Sequence, residues 1–476
     1  MTQVTLSDFS FQYAKTTQPA LSHLNLTFPS AQFNLLIGPS GSGKTTLLKF
    51  IAGLYPQFIE QPASGQIYFD DQEINSLTAM AKNHQVGMVF QNPNQQFAMD
   101  TVENELTFVL ENMQVPPEQM TDMIDQALEF CEVKSLKKRL LNTLSGGEKQ
   151  RVALACIVAM DPAVIVLDEP FASIDPHTRQ DLIEKLKQLQ LQHHKTIILA
   201  DHDLSDYATV VDQVFELDPQ THQISELTSA EAQQRFEQFS QNINAQQAVL
   251  LPTDSAVKCL TLNQFSLAPH GSELIASTDF SFYQGQTTLI TGENGIGKST
   301  LFAALTKLIN YQGIIDYLDH NIAKLKAKSY ALDVSLLFQD AENQFLTITV
   351  GEEIALAKKY RRHFKYSDEQ IQTMLSQLGL AGREEQVVYS LSEGQKKKLQ
   401  IIIMLIMASP VLLMDEPLKG LDLASVQIVV SLLQQAKQLF NQTQIIISHQ
   451  LTGLAPLIDL HVLFKDHQLT YQEVLG

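Results

Sequence analysis

Residues 38–46 read GPSGSGKTT, and they begin where a short apolar stretch, residues 34–38, ends. A strand that runs into GxxxxGK[ST] and then into a helix forms a phosphate-binding loop. Its glycines let backbone N–H groups point inward at the β- and γ-phosphates, and the helix N-terminus adds positive potential. The pattern predicts an α/β fold that binds a nucleoside triphosphate, although a single match could also be a Gly-rich turn with a surface lysine.

The same motif occurs a second time, because residues 292–300 read GENGIGKST. Four more motifs recur in the same order: FQNPNQQF and FQDAENQF, LSGGEKQ and LSEGQKK, VIVLDEP and VLLMDEP, and ILADH and IISHQ. The offset is 254 residues between Lys44 and Lys298 and stays at 247 from the third motif onward. An ordered set at nearly constant spacing indicates a gene duplication, so the sequence predicts two copies of one domain.

Each copy alternates short apolar strands with helical stretches, which predicts an α/β core around a mostly parallel sheet. In the first copy these strands are residues 34–38, 164–168 and 196–200. We assign residues 1–226 to the first domain and 257–476 to the second. The stretch between them, 227–256, is rich in Gln, Asn, Ser and Ala, and we predict a short helix and an exposed tether there.

The bulk composition supports this division and excludes several classes of protein. A chain of 476 residues with 44% apolar residues predicts two or more globular domains, and a net charge of −19 argues against a nucleic-acid partner. The three cysteines show no paired spacing, which fits a reducing compartment without a zinc site. We expect no secretory signal. The most apolar run, 401–408, is shorter than the roughly 20 residues of a membrane span, so we predict a buried helix.

The two loops supply the first part of the phosphate chemistry. Lys44 and Lys298 provide point charges for the phosphates, and Thr45 and Ser299 provide a hydroxyl ligand for Mg²⁺. The predicted ATP-binding residues of the loops are Gly38, Pro39, Ser40, Gly41, Ser42, Gly43, Lys44, Thr45 and Thr46 in the first copy, and Gly292, Glu293, Asn294, Gly295, Ile296, Gly297, Lys298, Ser299 and Thr300 in the second.

Two apolar strands end in an Asp-Glu pair, at the sheet edge where ligands bind in such folds. We predict that Asp168 and Asp415 hold the metal through its water shell. Glu169 and Glu416 would then accept a proton from the attacking water. The alternative is that each Asp-Glu-Pro merely caps the next helix, but the recurrence of both carboxylates favours a catalytic role.

A histidine and a glutamine recur in register with these carboxylates. His202 and His449 each follow a buried strand, where a lone histidine is usually a packed or capping residue. Their recurrence favours a catalytic role at the γ-phosphate and the water. Gln91 and Gln339 follow strand-like segments, from which their amides can reach metal and water.

LSGGE at 144–148 and LSEGQ at 391–395 each stand upstream of an Asp-Glu strand. With these signatures the chain resembles the ATP-binding-cassette (ABC) ATPases over nearly its whole length. The resemblance implies a helical subdomain in each domain, ATP and Mg²⁺ as ligands, and head-to-tail pairing of two cassettes. In that family each ATP lies between one phosphate loop and the opposite signature, so two copies in one chain can supply a complete intramolecular pair.

The resemblance assigns residues to two composite sites. The first would join Lys44, Gln91, Glu169 and His202 with Ser392 and Gly394, and the second would join Lys298, Gln339, Glu416 and His449 with Ser145, Gly146 and Gly147. Asp175 and Asp422 match an aspartate that contacts the opposite half. Tyr13 stands where the family places an aromatic residue against adenine, though a core tyrosine fits as well, and the second copy has Pro269 near that position.

One signature departs from the family pattern, because Glu393 replaces its first glycine. Its carboxylate would lie near the γ-phosphate of the first site, where like charges weaken ATP closure or demand a compensating cation. We therefore expect unequal sites. The second site, opposite the intact Ser145-Gly146-Gly147, should be the faster one.

The segments after the two glutamines look like those of energy-coupling-factor importers of vitamins and metal ions. There, residues 91–97 and 339–345 would receive a helix from transmembrane subunits, and the chain would sit peripherally on the cytoplasmic face of the cell membrane. The alternative is a soluble tandem cassette protein acting on ribosomes. Such proteins carry a basic linker, whereas this one is acidic. A DNA-repair ATPase fits less well. We predict that the basic clusters Lys137–Arg139 and Lys396–Lys398 form solvated helix faces rather than nucleic-acid contacts.

Overall fold

The computed structural model describes residues 2–13, 19–39, 41–55, 63–171, 174–243, 248–253, 255–269, 273–293, 295–361, 366–448, 451 and 453–475. The chain forms two compact units, Met1–Ser240 and Gln241–Gly476. The division between them falls inside the Gln-rich stretch 227–256.

The first unit contains two sheets within its described residues. Its strands are β1 (Val4–Phe11), β2 (Leu21–Phe28), β3 (Phe33–Ile37), β4 (Ser64–Phe69), β5 (Gln72–Glu73), β6 (Val86–Val89), β7 (Val164–Asp168), β8 (Thr196–Ala200), β9 (Gln213–Leu217) and β10 (Ile224–Glu226). An antiparallel sheet has the order β2-β1-β4-β5. The larger sheet, β10-β9-β3-β8-β7-β6, is parallel except for the β9–β10 pair.

Helices cover the parallel sheet on both faces, so β3, β7 and β8 are buried at every residue, as expected of central parallel strands. The helices of the first unit are α1 (Lys44–Ile51), α2 (Ala79–Gln85), α3 (Val102–Asn112), α4 (Pro117–Phe130), α5 (Gly146–Met160), α6 (Pro176–His193) and α7 (Ser229–Ile243). Helices α3, α4 and α5 pack on one another and form the predicted helical subdomain.

The second unit repeats this architecture. Its strands are β11 (Lys258–Leu267), β12 (Ile275–Tyr283), β13 (Thr287–Gly292), β14 (Gln312–Tyr317), β15 (His320–Asn321), β16 (Val334–Leu337), β17 (Val411–Asp415), β18 (Thr443–Ile447), β19 (Leu460–Lys465) and β20 (Gln468–Gln472). Its helices are α8 (Lys298–Leu305), α9 (Ala327–Asp333), α10 (Val350–Tyr360), α11 (Asp368–Gln377), α12 (Glu393–Met407) and α13 (Leu423–Phe440). The sheet orders, β12-β11-β14-β15 and β16-β17-β18-β13-β19-β20, confirm the duplicated α/β fold.

Helix α7 lies in the stretch predicted to be a linker, and it packs on the first unit. Ala232 and Phe236, which are four residues apart and therefore share one helix face, are buried in the core of that unit. Arg235 forms an ion pair with Glu216 of β9 at 2.9 Å. Further along the stretch, the side chain of Leu250 is 79% exposed.

Helix α12 contains the most apolar run of the chain. Its residues from Ile401 to Ile406 are all buried in the core of the second unit, which confirms the predicted core helix. Among the described residues, no helix has both the length and the apolar character that crossing a membrane requires.

Candidate nucleotide-binding and catalytic sites

The first phosphate loop connects the end of β3 to the start of α1. Gly43 precedes the helix with φ of 112°, and a Cβ atom there would lie 2.6 Å from the carbonyl oxygen of Ala20, so only glycine fits. Lys44 is buried, and its Nζ donates to the carbonyl oxygens of Gly38 at 2.7 Å and Pro39 at 3.0 Å. The backbone of the loop thus holds the ammonium group of Lys44 in place, where that group can bind a phosphate.

The second loop has the same geometry. Gly297 also has φ of 112°, and Lys298 Nζ donates to the carbonyl oxygens of Gly292 at 2.7 Å and Glu293 at 2.9 Å. Two other predicted loop residues, Ser40 and Asn294, lie outside the described residues.

The chemistry of a metal site is present beside each loop. Asp168 is buried, and its Oδ1 has no hydrogen-bond partner among the described residues; the same holds for Ser42 Oγ. Burial, with a smaller contribution from the neighbouring glutamate, raises the pKa of Asp168 to about 7, although its hydrogen bond with Thr45 lowers it. Burial also raises the pKa of Asp415, although a hydrogen bond with Ser299 lowers it. A buried carboxyl with a spare oxygen next to a hydroxyl fits hydrated Mg²⁺.

Asp168→Asn should stabilise the metal-free, nucleotide-free chain at pH 8 by about 1–2 kcal/mol. The pKa of about 7 exceeds the ordinary 3.8, so the folded state holds the proton more tightly and stability falls as pH rises between these values. Asn removes this cost, and the gain should shrink at pH 5. Asp415→Asn, where Lys397, Lys298 and Lys419 favour the charged carboxylate, should gain less. Thermal unfolding measures both, and a destabilised Asp168→Asn chain would contradict the argument.

Glu169 follows β7 and is held by several donors. Its backbone has φ of 47°, and its N–H donates to the carbonyl oxygen of Ala200 at 2.9 Å. Gln91 Nε2 donates to Glu169 Oε2 at 2.7 Å, which brings together two predicted site residues. Burial alone would raise the pKa of Glu169, but His202, Lys44 and Gln91 outweigh it and hold the pKa below its ordinary value. The carboxylate is therefore ionised at neutral pH.

His202 is the cationic partner of this glutamate. Its Nδ1 lies 3.4 Å from Glu169 Oε1, which is within the range of an ion pair. Burial alone would lower the pKa of His202, but the charges of Glu169 and Asp201 raise it to about 9. The imidazole is therefore protonated at neutral pH, and its positive charge would favour a contact to a phosphate.

A buried cluster that the sequence analysis missed supports the loop that carries His202. Arg179, on α6, donates to Asp206 Oδ2 at 3.0 Å and to the carbonyl oxygen of Asp203 at 2.9 Å, and its guanidinium lies 5.0 Å from the ring centroid of Tyr207. The Tyr207 hydroxyl donates to Asp201 Oδ2 at 2.8 Å. The repeat between the two copies does not reveal this cluster, because the second copy has different residues at these positions.

The corresponding positions of the second unit, 247 residues later, are apolar or small. Val426, Ser448, Gly453 and Leu454 stand in place of the arginine, two aspartates and the tyrosine. Val426, Ser448 and Leu454 are buried, and a Cβ atom at Gly453 would lie 2.7 Å from Val426 Cγ1. The two units therefore differ at these described positions, which carry a charged cluster in the first unit and buried apolar or small residues in the second.

Glu416 in the second unit has the same backbone conformation as its counterpart. Its φ is 47°, and its N–H donates to the carbonyl oxygen of Ile447 at 2.9 Å. Ser448 Oγ donates to Glu416 Oε2 at 3.2 Å. His449 lies outside the described residues, so its predicted contact with this carboxylate remains a prediction.

Tyr13 lies beside the first phosphate loop and is partly buried. Its hydroxyl forms a hydrogen bond with Thr46 Oγ1 at 2.8 Å, and its ring packs edge-on against Phe11 at 4.8 Å. Burial raises the pKa of Tyr13 to about 12. The residue is thus near the nucleotide loop and also packs on the core.

Each signature forms the start of a helix. Ser145 caps α5, with Glu148 Oε2 accepting from the serine N–H at 2.7 Å and Ser145 Oγ accepting from the Glu148 N–H at 3.3 Å. Ser392 caps α12 in the same way with Gln395. Helix N-termini attract anions, so both signatures are suited to a phosphate.

The prediction that Lys396–Lys398 form a solvated helix face is wrong. These lysines are only 3%, 4% and 9% exposed. Lys397 Nζ donates to the carbonyl oxygens of Gln339 at 3.0 Å and Phe338 at 3.3 Å, and burial lowers the pKa of Lys397 to about 7. The cluster therefore connects α12 to the segment that carries Gln339, a connection that local charge density does not reveal.

Comparison with known proteins agrees with this geometry. The family model described as "ABC transporter" matches residues 21–172 and 275–419. The ATP-binding protein YkoD of Bacillus subtilis, whose provisional name assigns it to HMP/thiamine import, is 30% identical over 98% of this chain and 91% of its own length. An ABC transporter ATP-binding protein of Treponema denticola is 31% identical over 94% of this chain and 92% of its own.

A solved structure shares the fold along nearly the whole chain. It is an archaeal ribosome recycling factor, aABCE1, in complex with a ribosomal stalk protein, at 17% identity and a TM-score of 0.60 over 96% of this chain and 87% of that one. At that identity the likeness concerns the fold alone. The duplicated phosphate loops and signatures, the family match and the two full-length relatives lead to one conclusion: the chain is an ATPase of the ABC transporter family with two cassettes in one polypeptide.

Proposed function

We propose that this chain is the ATP-hydrolysing subunit of an energy-coupling-factor type importer of a vitamin or metal ion. It would act as a peripheral protein on the cytoplasmic face of the cell membrane, bound to transmembrane subunits near residues 91–97 and 339–345. The name of the relative YkoD, which refers to HMP/thiamine import, supports the importer class. The two domains would pair head to tail and form the two composite sites that the family resemblance assigns.

The observation that carries the proposal lies directly after the two segments 91–97 and 339–345. In the second unit, Glu353 of α10 is buried, and its Oε1 accepts from the Leu346 N–H at 2.6 Å and from Thr347 Oγ1 at 2.8 Å. The loop is thus held by a buried carboxylate, yet the side chains of Leu346 and Ile348 are 81% and 65% exposed. Two neighbouring exposed apolar side chains on a loop held in place in this way would suit contact with another protein.

In the first unit, a buried glutamate also holds the corresponding loop. Glu105 of α3 is buried, and its Oε2 accepts from the N–H groups of Ala98 at 2.9 Å and Met99 at 2.7 Å. The side chain of Met99 is 36% exposed. A carboxylate that orders the loop in both units would transmit movement between the site glutamine and a docked partner.

Hydrolysis at the first site would use the ion pair between Glu169 and His202. The water oxygen attacks the γ-phosphorus, the bond to the β–γ bridging oxygen breaks, and Glu169 takes a proton from the water. The γ-phosphate attracts the cationic His202 away from Glu169, so the pKa of Glu169 rises and the carboxylate becomes a better base. Lys44 holds the β- and γ-phosphates throughout.

The residues that would hold Mg²⁺ are Thr45, Gln91 and Asp168 at the first site and Ser299, Gln339 and Asp415 at the second. The unpartnered Asp168 Oδ1 fits this role at the first site. When bound, the metal neutralises charge on the phosphates.

Recovery of partners from membranes tests the proposal. The tagged chain, purified from gently solubilised membranes of its host, should bring down small, very hydrophobic multi-span proteins, identified by mass spectrometry. Leu346→Glu with Ile348→Glu should lose them while ATPase activity in solution is kept. Leu439→Glu, at a side chain that is 53% exposed outside this loop, is the matched control. Recovery of ribosomal proteins, with the chain absent from membranes, would instead support the ribosomal alternative.

A further inference from the structure

The second signature carries a carboxylate, that of Glu393, at the place where the γ-phosphate of ATP is expected to bind. Glu393 follows the N-cap Ser392 directly and is the first residue of α12. Its side chain is 28% exposed, and in the proposed pairing it would face the γ-phosphate bound by the first phosphate loop. An uncompensated carboxylate there would repel the nucleotide and oppose the attraction of the helix N-terminus.

A buried cation contacts this carboxylate. Lys396 lies three residues further along α12, so it shares a face of the helix with Glu393. Its side chain is 3% exposed, and its Nζ donates to Glu393 Oε1 at 3.0 Å. The same Nζ forms an ion pair with Glu342, which lies in the turn Ala341–Gln344 that follows the site glutamine. The ammonium is thus fixed between two carboxylates.

The first unit has the lysine without the two acids. Lys149 occupies the position that matches Lys396, and its Nζ donates to Asn94 Oδ1 at 2.8 Å. Asn94 stands in place of Glu342, and Gly146 stands in place of Glu393. The signature carboxylate and its acidic neighbour therefore occur together, around a lysine that both units contain.

We infer that Lys396 is a positioning residue that neutralises Glu393 and keeps the second signature able to bind the ATP held by the first phosphate loop. The inference rests on the head-to-tail pairing in the proposed function. It makes the first site a working site in spite of the altered signature, because Ser392 and the helix N-terminus then meet the phosphate without an opposing charge.

Equilibrium binding of radiolabelled Mg·ATP to the full chain tests this inference. Glu169→Gln with Glu416→Gln serves as the background, so that hydrolysis does not consume the nucleotide. Lys396→Met should weaken one of the two ATP sites about ten- to hundredfold. Adding Glu393→Gly should restore tight binding, because the repelling carboxylate is gone. Glu342→Gln is the control, since Lys396 can still neutralise Glu393, and it should bind ATP as the background does.

The possible results distinguish the role of Lys396 from the head-to-tail pairing on which it rests. The inference falls if Lys396→Met keeps two tight sites, if Glu393→Gly does not restore binding, or if Glu342→Gln weakens binding as much as Lys396→Met. A merely structural role for Lys396 would not be rescued by Glu393→Gly. Ser392→Ala tests the pairing itself: if it weakens the site while Lys396→Met does not, only the inference about Lys396 fails. If Ser392→Ala leaves Mg·ATP binding unchanged, both the head-to-tail pairing and the inference about Lys396 fail.

Discussion

Replacing Glu169 and Glu416 together with Gln should lower ATP turnover by about 10²–10⁴-fold while Mg·ATP binding is retained. The amide keeps the shape of the side chain, and it can still meet Gln91 at the first site, but it cannot accept a proton from water. Steady-state phosphate release measures turnover, and nucleotide binding checks that the site is intact. Glu111→Gln, at an exposed position on α3, is the matched control and should leave turnover unchanged.

The single substitutions should rank the two sites. We expect Glu416→Gln to remove more of the turnover than Glu169→Gln, because the second site is opposite the signature that keeps both glycines, whereas the signature opposite the first site has Glu393 in place of one and depends on Lys396 to neutralise it. If Glu169→Gln abolished turnover and Glu416→Gln spared it, the ranking would be wrong. Equal partial losses would mean that the two sites turn over at the same rate, and complete loss in both single variants would mean that neither site hydrolyses without the other. Either result would contradict the ranking.

Much of the fold could be predicted because the motifs recur and the apolar runs are short. The strands at 164–168 and 196–200 have the predicted bounds, and that at 34–38 begins one residue earlier, as β3. The structure also decides a point that the sequence left open. Asp175 caps α6 and Asp422 caps α13, so neither Asp-Glu pair serves as the cap of the next helix.

What could not be predicted depends on contacts between distant residues. Lys397 looks like a surface charge in its own helix, but its carbonyl partners lie 58 and 59 residues away. In the other basic cluster, the side chain of Lys138 is 79% exposed, whereas that of Lys137 beside it is 19% exposed and forms an ion pair with Asp125. Sequence charge alone does not distinguish the two cases, because burial depends on what packs against the helix.

Arg179→Met should destabilise the first domain by about 3–5 kcal/mol, the usual cost of removing one partner from a buried charge cluster. Arg179 is 5% exposed, and its loss would leave Asp201 without its nearest buried cation. Urea unfolding measures the stability. Hydrogen exchange at residues 201–207 should rise as well, because this loop, which follows β8, carries His202. Lys187→Met, which breaks a more exposed pair with Asp212, is the control and should cost less than about 1 kcal/mol.

The second unit supplies the sharper form of this experiment. Its natural residues, transferred as Arg179→Val, Asp201→Ser, Asp206→Gly and Tyr207→Leu, replace four members of the charged cluster by the residues at the matching positions. The fifth member, Asp203, has a side chain that is 36% exposed, so its carboxylate keeps contact with water when Arg179 is lost. Exchanging all partners of a buried cluster for apolar groups is often neutral, whereas removing one is costly, so the fourfold variant should recover most of the stability that Arg179→Met loses. A fourfold variant as unstable as Arg179→Met would mean that the charges hold this loop in a way that packing cannot replace.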